Sequence, residues 1–214
     1  MKTIFKILFM MTMIAASSCG NAQSPADTPK TLVVYYSYTG NCKAIANTLL
    51  SQIEADVLEI QPAEDNLDYA ANNYELGSSL IARIRENPKS ANSYPAIRPT
   101  DTDLQKYSSI IIVAPLWWNN MAAPLQTYLF LNGPKMKGKH VGLVVSSYSS
   151  GISDVVGDAR RLVPECQFFN KPLWIDHAGH SRRSRLISDW LNDIGYTQEA
   201  STNGHKSGTI DSSR

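Results

Sequence analysis

The run Leu32-Val33-Val34-Tyr35-Tyr36-Ser37-Tyr38-Thr39-Gly40-Asn41-Cys42-Lys43 decides how this chain is read. Leu32 to Tyr36 are five β-prone residues in a row and form a strand. Hydroxyls and a single glycine then make a turn. Beyond it Ala44, Ile45, Leu49 and Ile53 recur at helical spacing, which predicts a helix over about 42–54. A continuously apolar strand belongs inside a parallel sheet with helices on both faces. The turn after it aims unpaired N–H groups of the next helix outward, an arrangement suited to an anion.

Working outward, Asp56 to Ile60 forms a second strand ended by Pro62, completing a βαβ unit. The long stretch from Ala63 to Tyr107 carries its own helical pattern in Tyr69, Asn73, Gly77, Leu80, Ile81 and Ile84, ended by Asn87-Pro88. It reads as a helix covering the sheet plus a surface loop, with Tyr69 and Tyr74 as the alternative lining of a ligand mouth. Ser109 to Ala114 is the third strand and a helix from Ala123 to Leu131 follows. Val141 to Val145 is the fourth, followed by a helix through Val155, Ala159 and Leu162, capped near Ser153 and stopped by Pro164. A fifth strand over 172–175 and a last helix carrying Ile187, Trp190, Leu191 and Ile194, closed by Gly195, complete the pattern. Five strands alternating with helices predict an α/β fold, a doubly wound five-stranded parallel sheet with helices on both faces, over 31–195. Ligands of such sheets sit outside the carboxyl ends of the strands. The polar loops after strands one, three and four all fall on that edge.

The 214 residues suit one domain; 43% are apolar and 18% charged, as in globular chains. Residues 1–22 have a signal-peptide layout, with Lys2 and Lys6 ahead of an apolar run and small residues at Ala15-Ala16-Ser17-Ser18-Cys19. The run is too short for a permanent membrane span. Small residues directly before Cys19 resemble a bacterial lipobox, making Cys19 the candidate lipidation site and the membrane anchor. Cleavage after Ala22 is the plain secretory alternative. Either outcome predicts export to the periplasm or cell envelope, with 23–30 as a linker. Without Lys2 and Lys6, 18 basic residues face 19 acidic ones, a net charge of −1, and nothing points to a nucleic-acid partner. The tail 196–214 lacks apolar periodicity and reads as disordered. Cys42 and Cys166 are expected as free thiols, because one sits at a strand-to-helix turn and the other after a later helix.

Three loops carry the candidate chemistry. Ser37-Tyr38-Thr39-Gly40-Asn41-Cys42 offers hydroxyls and a helix N-terminus for a phosphate monoester, the alternative being an unliganded capping turn. A Walker loop and a G-x-G-x-x-G turn are both absent. Thr48 occupies the place where a cysteine phosphatase would need arginine, so Cys42, whose thiol a helix start can acidify, is assigned no catalytic role. Pro115-Leu116-Trp117-Trp118-Asn119 places adjacent aromatics on an extended segment, one to pack inward and one to meet a flat ligand. Ser147-Tyr148-Ser149, leading to Gly151, adds an aromatic among hydroxyls. Together they suit a phosphorylated planar heterocycle. His177-x-x-His180 reads as a surface turn rather than a metal pair, since only Asp176 stands near it to complete a ligand set. Arg182, Arg183 and Arg185 read as a solvated face or a contact for an acidic partner.

These motifs resemble the flavodoxin-like family, in its bacterial branch with a tryptophan pair after the third strand: Ser37-x-Thr39-Gly40-Asn41, then Pro115-Leu116-Trp117-Trp118 with Met121 and Pro124, then Ser147 to Gly151. The resemblance spans Leu32 to Ile194. It implies FMN, with phosphate in the first loop, the isoalloxazine between the second and third, Trp118 stacked on the ring and Tyr148 over its other face. It further implies electron transfer to a redox partner protein or a small-molecule acceptor, with no side chain needed as acid or base. An NAD(P)H:quinone oxidoreductase of the same fold and a binding module that has lost its flavin are the rival expectations. Two places depart from the family pattern: Cys42 stands where threonine is usual, exchanging a strong donor for a weak one, and Asn119 stands where glycine is frequent.

Overall fold

The computed structural model describes residues 30–196. The signal peptide, Cys19, the linker up to residue 29 and the tail from 197 lie outside the described residues. The strands are β1 (Lys30–Tyr35), β2 (Asp56–Glu59), β3 (Tyr107–Trp117), β4 (Asn120–Met121), β5 (His140–Ser146), β6 (Gln167–Phe168) and β7 (Leu173–Ile175). The helices are α1 (Asn41–Leu50), α2 (Ala71–Glu86), α3 (Ala123–Asn132), α4 (Ser153–Leu162) and α5 (Arg183–Asp193).

The sheet runs β2-β1-β3-β5, and its fifth position is shared by β6 and β7, all parallel. The expected fifth strand is therefore split: β6 pairs with His140 and Val141, and β7 with Val144 to Ser146. Alternation along the strands divides the core into two layers. Leu32, Val34, Ile110, Ile112, Leu143 and Val145 face α2, α3 and α4, whereas Val33, Tyr35, Ile111, Val113 and Val144 face α1 and α5. The central strands are buried on both sides, which is why they read as unbroken apolar runs.

Three local features depart from the sequence reading. Ser153 begins α4 rather than capping it, and its hydroxyl reaches Asp154 Oδ1 at 3.4 Å. Within α2, Asn72, Asn73 and Tyr74 all have left-handed backbone angles, so regular helix begins only after them. The segment after strand three is not an extended loop. β3 continues to Trp117, turns at Trp118 and Asn119, and returns as β4, pairing Leu116 with Met121 and Trp117 with Asn120. Both turn residues have positive φ, 47° and 67°, as tight hairpins demand.

Candidate functional site

The first loop leaves β1 and enters α1 through Gly40, whose φ of +86° suits a residue without Cβ. Among the described residues no side chain caps α1, so its first N–H groups face outward. Ser37 Oγ is buried and has no hydrogen-bond partner there. A buried hydroxyl without a partner costs about 1–3 kcal/mol, which an anion at the helix start would offset. Lys43, the one lysine of this turn, points away to Glu59 at 3.5 Å.

At the strand ends these groups open into a cleft of about 170 Å³. Ser37, Tyr38, Thr39, Asn41 and Cys42 line it from the first loop; Pro115, Leu116 and Trp117 from the second; Ser146, Ser147 and Tyr148 from the third. His177 and His180, just beyond β7, close the remaining side. A wider depression of about 870 Å³ lies along α1 and α5, between residues such as Gln52 and Arg185. None of the loops after β1, β3 and β5 reaches it, so the smaller cleft is the candidate site.

The walls are held by aromatic contacts. Trp117 meets Tyr69 at 4.8 Å and Tyr36 at 5.6 Å between ring centroids. Tyr38 lies edge-on to Tyr69 and donates to Asp68 Oδ1 at 2.8 Å. That bond keeps the Tyr38 phenol protonated above its usual range and the Asp68 carboxyl ionised below its own. On the far wall Tyr148 stacks on His177 at 4.8 Å and is 74% exposed, free to move with little loss of packing. Ser147 is anchored, accepting from Trp174 Nε1 and donating to the Ser150 carbonyl, both at 2.8 Å.

Several expected site residues stand elsewhere. Trp118 does not line the cleft: the hairpin turn carries its ring over Gly77 of α2, where a Cβ would come within 2.7 Å of the indole, and edge-on to Tyr74. Trp117 is the tryptophan of the cleft. Asn119 follows Trp118 in the turn, while Gly40, Ser149 and Gly151 shape their loops without lining the cleft. Cys42 borders the site but is buried with Ile45, Ala46 and Leu49, and burial pushes its thiol up, opposite to the lowering a helix start can produce. Cys42 and Cys166 are free thiols, as expected. Ser146, His177 and His180 were missed. The signal was available: a strand ending at Ile175 delivers its next residues to the same rim, so 177–180 is more than a surface turn.

With this geometry in place, the comparisons decide the family. The flavodoxin family model matches residues 30–194. This chain belongs to the flavodoxin family. Among solved structures, a putative flavoprotein from Bacteroides eggerthii is 24% identical with a TM-score of 0.60, covering 78% of this chain and 99% of its own. A putative flavoprotein from Bacteroides uniformis is 25% identical with a TM-score of 0.58, covering 75% and 99%. A flavoprotein from Lactobacillus acidophilus solved in complex with FMN is 22% identical with a TM-score of 0.58, covering 73% and 99%. No curated protein matches the sequence. The strand order β2-β1-β3-β5 with a split fifth strand is the flavodoxin order, whose ligand crevice lies at the β1/β3 switch point. Among the described residues of this family member, no cluster of three His, Cys, Asp or Glu is placed to hold a metal, and no helix is long and apolar enough to cross a membrane.

Proposed function

We propose that this flavodoxin-family protein binds FMN non-covalently and passes electrons through it. The observation that carries the reading is the partnerless Ser37 hydroxyl at the uncapped start of α1, opening into the cleft that Trp117 and Tyr148 also line. Ser37, Thr39 and Asn41 would hold the phosphate with the α1 backbone, and Trp117 and Tyr148 would meet the ring. When bound, the flavin supplies one- and two-electron chemistry; the protein supplies orientation, hydrogen bonds and exclusion of water. At about 170 Å³ the cleft is smaller than pockets that engulf a ligand, commonly about 300–1,000 Å³. It would hold part of the cofactor and leave an edge at the mouth for a redox partner protein or small acceptor.

A second reading, an NAD(P)H:quinone oxidoreductase, draws support from a neighbouring hollow of about 190 Å³, which shares Ser37 and Tyr38 with the cleft and is lined by Glu64, Leu67 and Tyr69 of the long insert together with Gln61 ahead of it. Export and anchoring through a lipidated Cys19 complete the proposal, tested by membrane fractionation and the mass of the mature N-terminus. The decisive experiment adds FMN to the purified protein, records the visible spectrum and reduces it anaerobically. A stoichiometric, reducible flavin complex without NAD(P)H–quinone turnover is expected; turnover moves the assignment to the second reading, and failure to take up FMN overturns both.

A further inference from the structure

The cleft has polar donors but a peculiar charge. Among its lining residues there is no lysine or arginine, and the side chains able to become cationic are His177 and His180. Two permanent cations that neighbour its lining residues in the sequence are turned elsewhere. Lys43 reaches Glu59. Arg183 donates from Nε to Thr48 Oγ1 at 3.0 Å and from Nη1 to the His180 carbonyl at 2.8 Å. Packing of α5 against α1 brings His180, three residues ahead of α5, to the same small cleft as Asn41 and Cys42 at the start of α1.

We infer that His180, acting with Ser146, is the cationic arm of an anion subsite that holds the phosphate-monoester end of the cleft's ligand. This rests on the reading of the cleft as a site for a phosphorylated ligand. His180 Nε2 and Ser146 Oγ are 3.0 Å apart, and Ser146 is buried at the cleft wall. A neutral ring with a bare Nε2 accepts a hydrogen bond from the Ser146 hydroxyl. A protonated ring can only donate, so the serine oxygen becomes the acceptor and its own hydrogen is released toward the cleft. One proton on His180 thus adds a positive charge and redirects a hydroxyl donor. The groups around this ring are Asp176 and His177 from the turn after β7, Arg183 from α5, and Cys42 and Tyr148 across the cleft. The Asp176 carboxylate is engaged, accepting from the Gly179 N–H at 2.7 Å. Burial, then the charges of Arg183 and His177, hold the ring below its ordinary pKa. A dianion beside it opposes all three effects, so binding takes up a proton.

The test compares FMN with riboflavin, which lacks the phosphate, by flavin fluorescence titration of the full chain at about pH 6.5 and about pH 8.5, where a phosphate monoester is largely dianionic. FMN is expected to bind about two- to fivefold more tightly at the lower pH, which is what a rise of one pKa unit from a starting value at or below about 6.5 gives there, and riboflavin equally at both. His180→Gln, which keeps a hydrogen bond to Ser146 without the charge, is expected to abolish the difference. In parallel, NMR titration of the wild-type histidines with inorganic phosphate is expected to raise the His180 pKa. An FMN affinity that is independent of pH, or unchanged in H180Q, overturns the anion arm while leaving flavin binding intact. Should neither flavin bind, the phosphate titration decides alone: a raised His180 pKa sustains the anion subsite without a flavin, and an unmoved one overturns it. The same titration serves if H180Q does not fold.

Discussion

Asn120 donates from Nδ2 to Asp158 Oδ2 at 2.9 Å, and this bond ties the tryptophan hairpin to α4. The same oxygen accepts the Met121 backbone N–H at 3.0 Å, while Oδ1 takes Arg161 at 2.8 Å. Arg161 continues to Tyr94 and Gln126, and Arg85 of α2 holds the hairpin from its other side through Asn120 Oδ1 at 2.6 Å and the Trp118 carbonyl. Asp158→Ala leaves a buried N–H and an amide without an acceptor. Since the Arg161 side chain is 34% exposed and keeps water, the expected loss is about 1–3 kcal/mol rather than that of a fully buried pair. Urea denaturation measures it. A weaker FMN affinity in the same variant, with Asp158→Asn in between, would show that the clamp also positions Trp117.

Gly77 is where Trp118 rests. Adding a methyl there meets the indole at 2.7 Å, and overpacking of this kind costs about 1–3 kcal/mol. Removing glycine from a helix recovers about 1 kcal/mol, so Gly77→Ala is expected to be mildly destabilising and to shift tryptophan emission as the ring swings outward. In a Trp118→Ala background the sign reverses: G77A then stabilises by about 1 kcal/mol. A double-mutant cycle checks both statements.

Neither free thiol is expected to react readily at neutral pH. Burial pushes Cys42 up strongly and Cys166 up to about 11, with Lys139 opposing the rise. Thiolate, not thiol, is the nucleophile. Labelling with a disulfide reagent should therefore be slow in native protein and rapid for both cysteines in denaturant. Fast native labelling of Cys42 would mean that the first turn of α1 opens from the core beneath it.

Alkali should unfold the protein through its tyrosines. Burial holds Tyr107 and Tyr128 up to about 12, and Tyr35 and Tyr36 are pushed up as well. A raised folded-state pKa gives stability that is complete below the unfolded value, about 10, and is lost as pH rises through the folded one. The denaturation midpoint is expected to fall from about pH 10 toward about pH 12, with the phenolate signals of these four buried tyrosines, followed individually by NMR, appearing together with unfolding rather than before it. A phenolate signal from any of the four that precedes unfolding counts against it.

Much of this was written in the chain. β1, β3 and β5 show as apolar runs because both of their faces are covered, and α1, α3 and α5 show at helical spacing. Strand ends then follow from chain direction, which placed the first, second and third loops at one rim. The turn at Trp118 and Asn119 was hidden, because a bulky aromatic at positive φ goes against local preference and persists only where tertiary contacts hold it. Here Arg85 grips the Trp118 carbonyl, Asp158 holds Asn120 and Met121, and Gly77 leaves room for the ring.

The sequence alone determined the layered sheet and the hydroxyl-rich turn before α1, because hydrophobic period and helix-terminus chemistry are local. Only the folded chain decided that Trp117 rather than Trp118 faces the cleft, that Cys42 turns into the core, and that His180 arrives beside Ser146 from 34 residues away. Those choices depend on which distant side chains fill the space around each group. Spacing along a chain does not encode that.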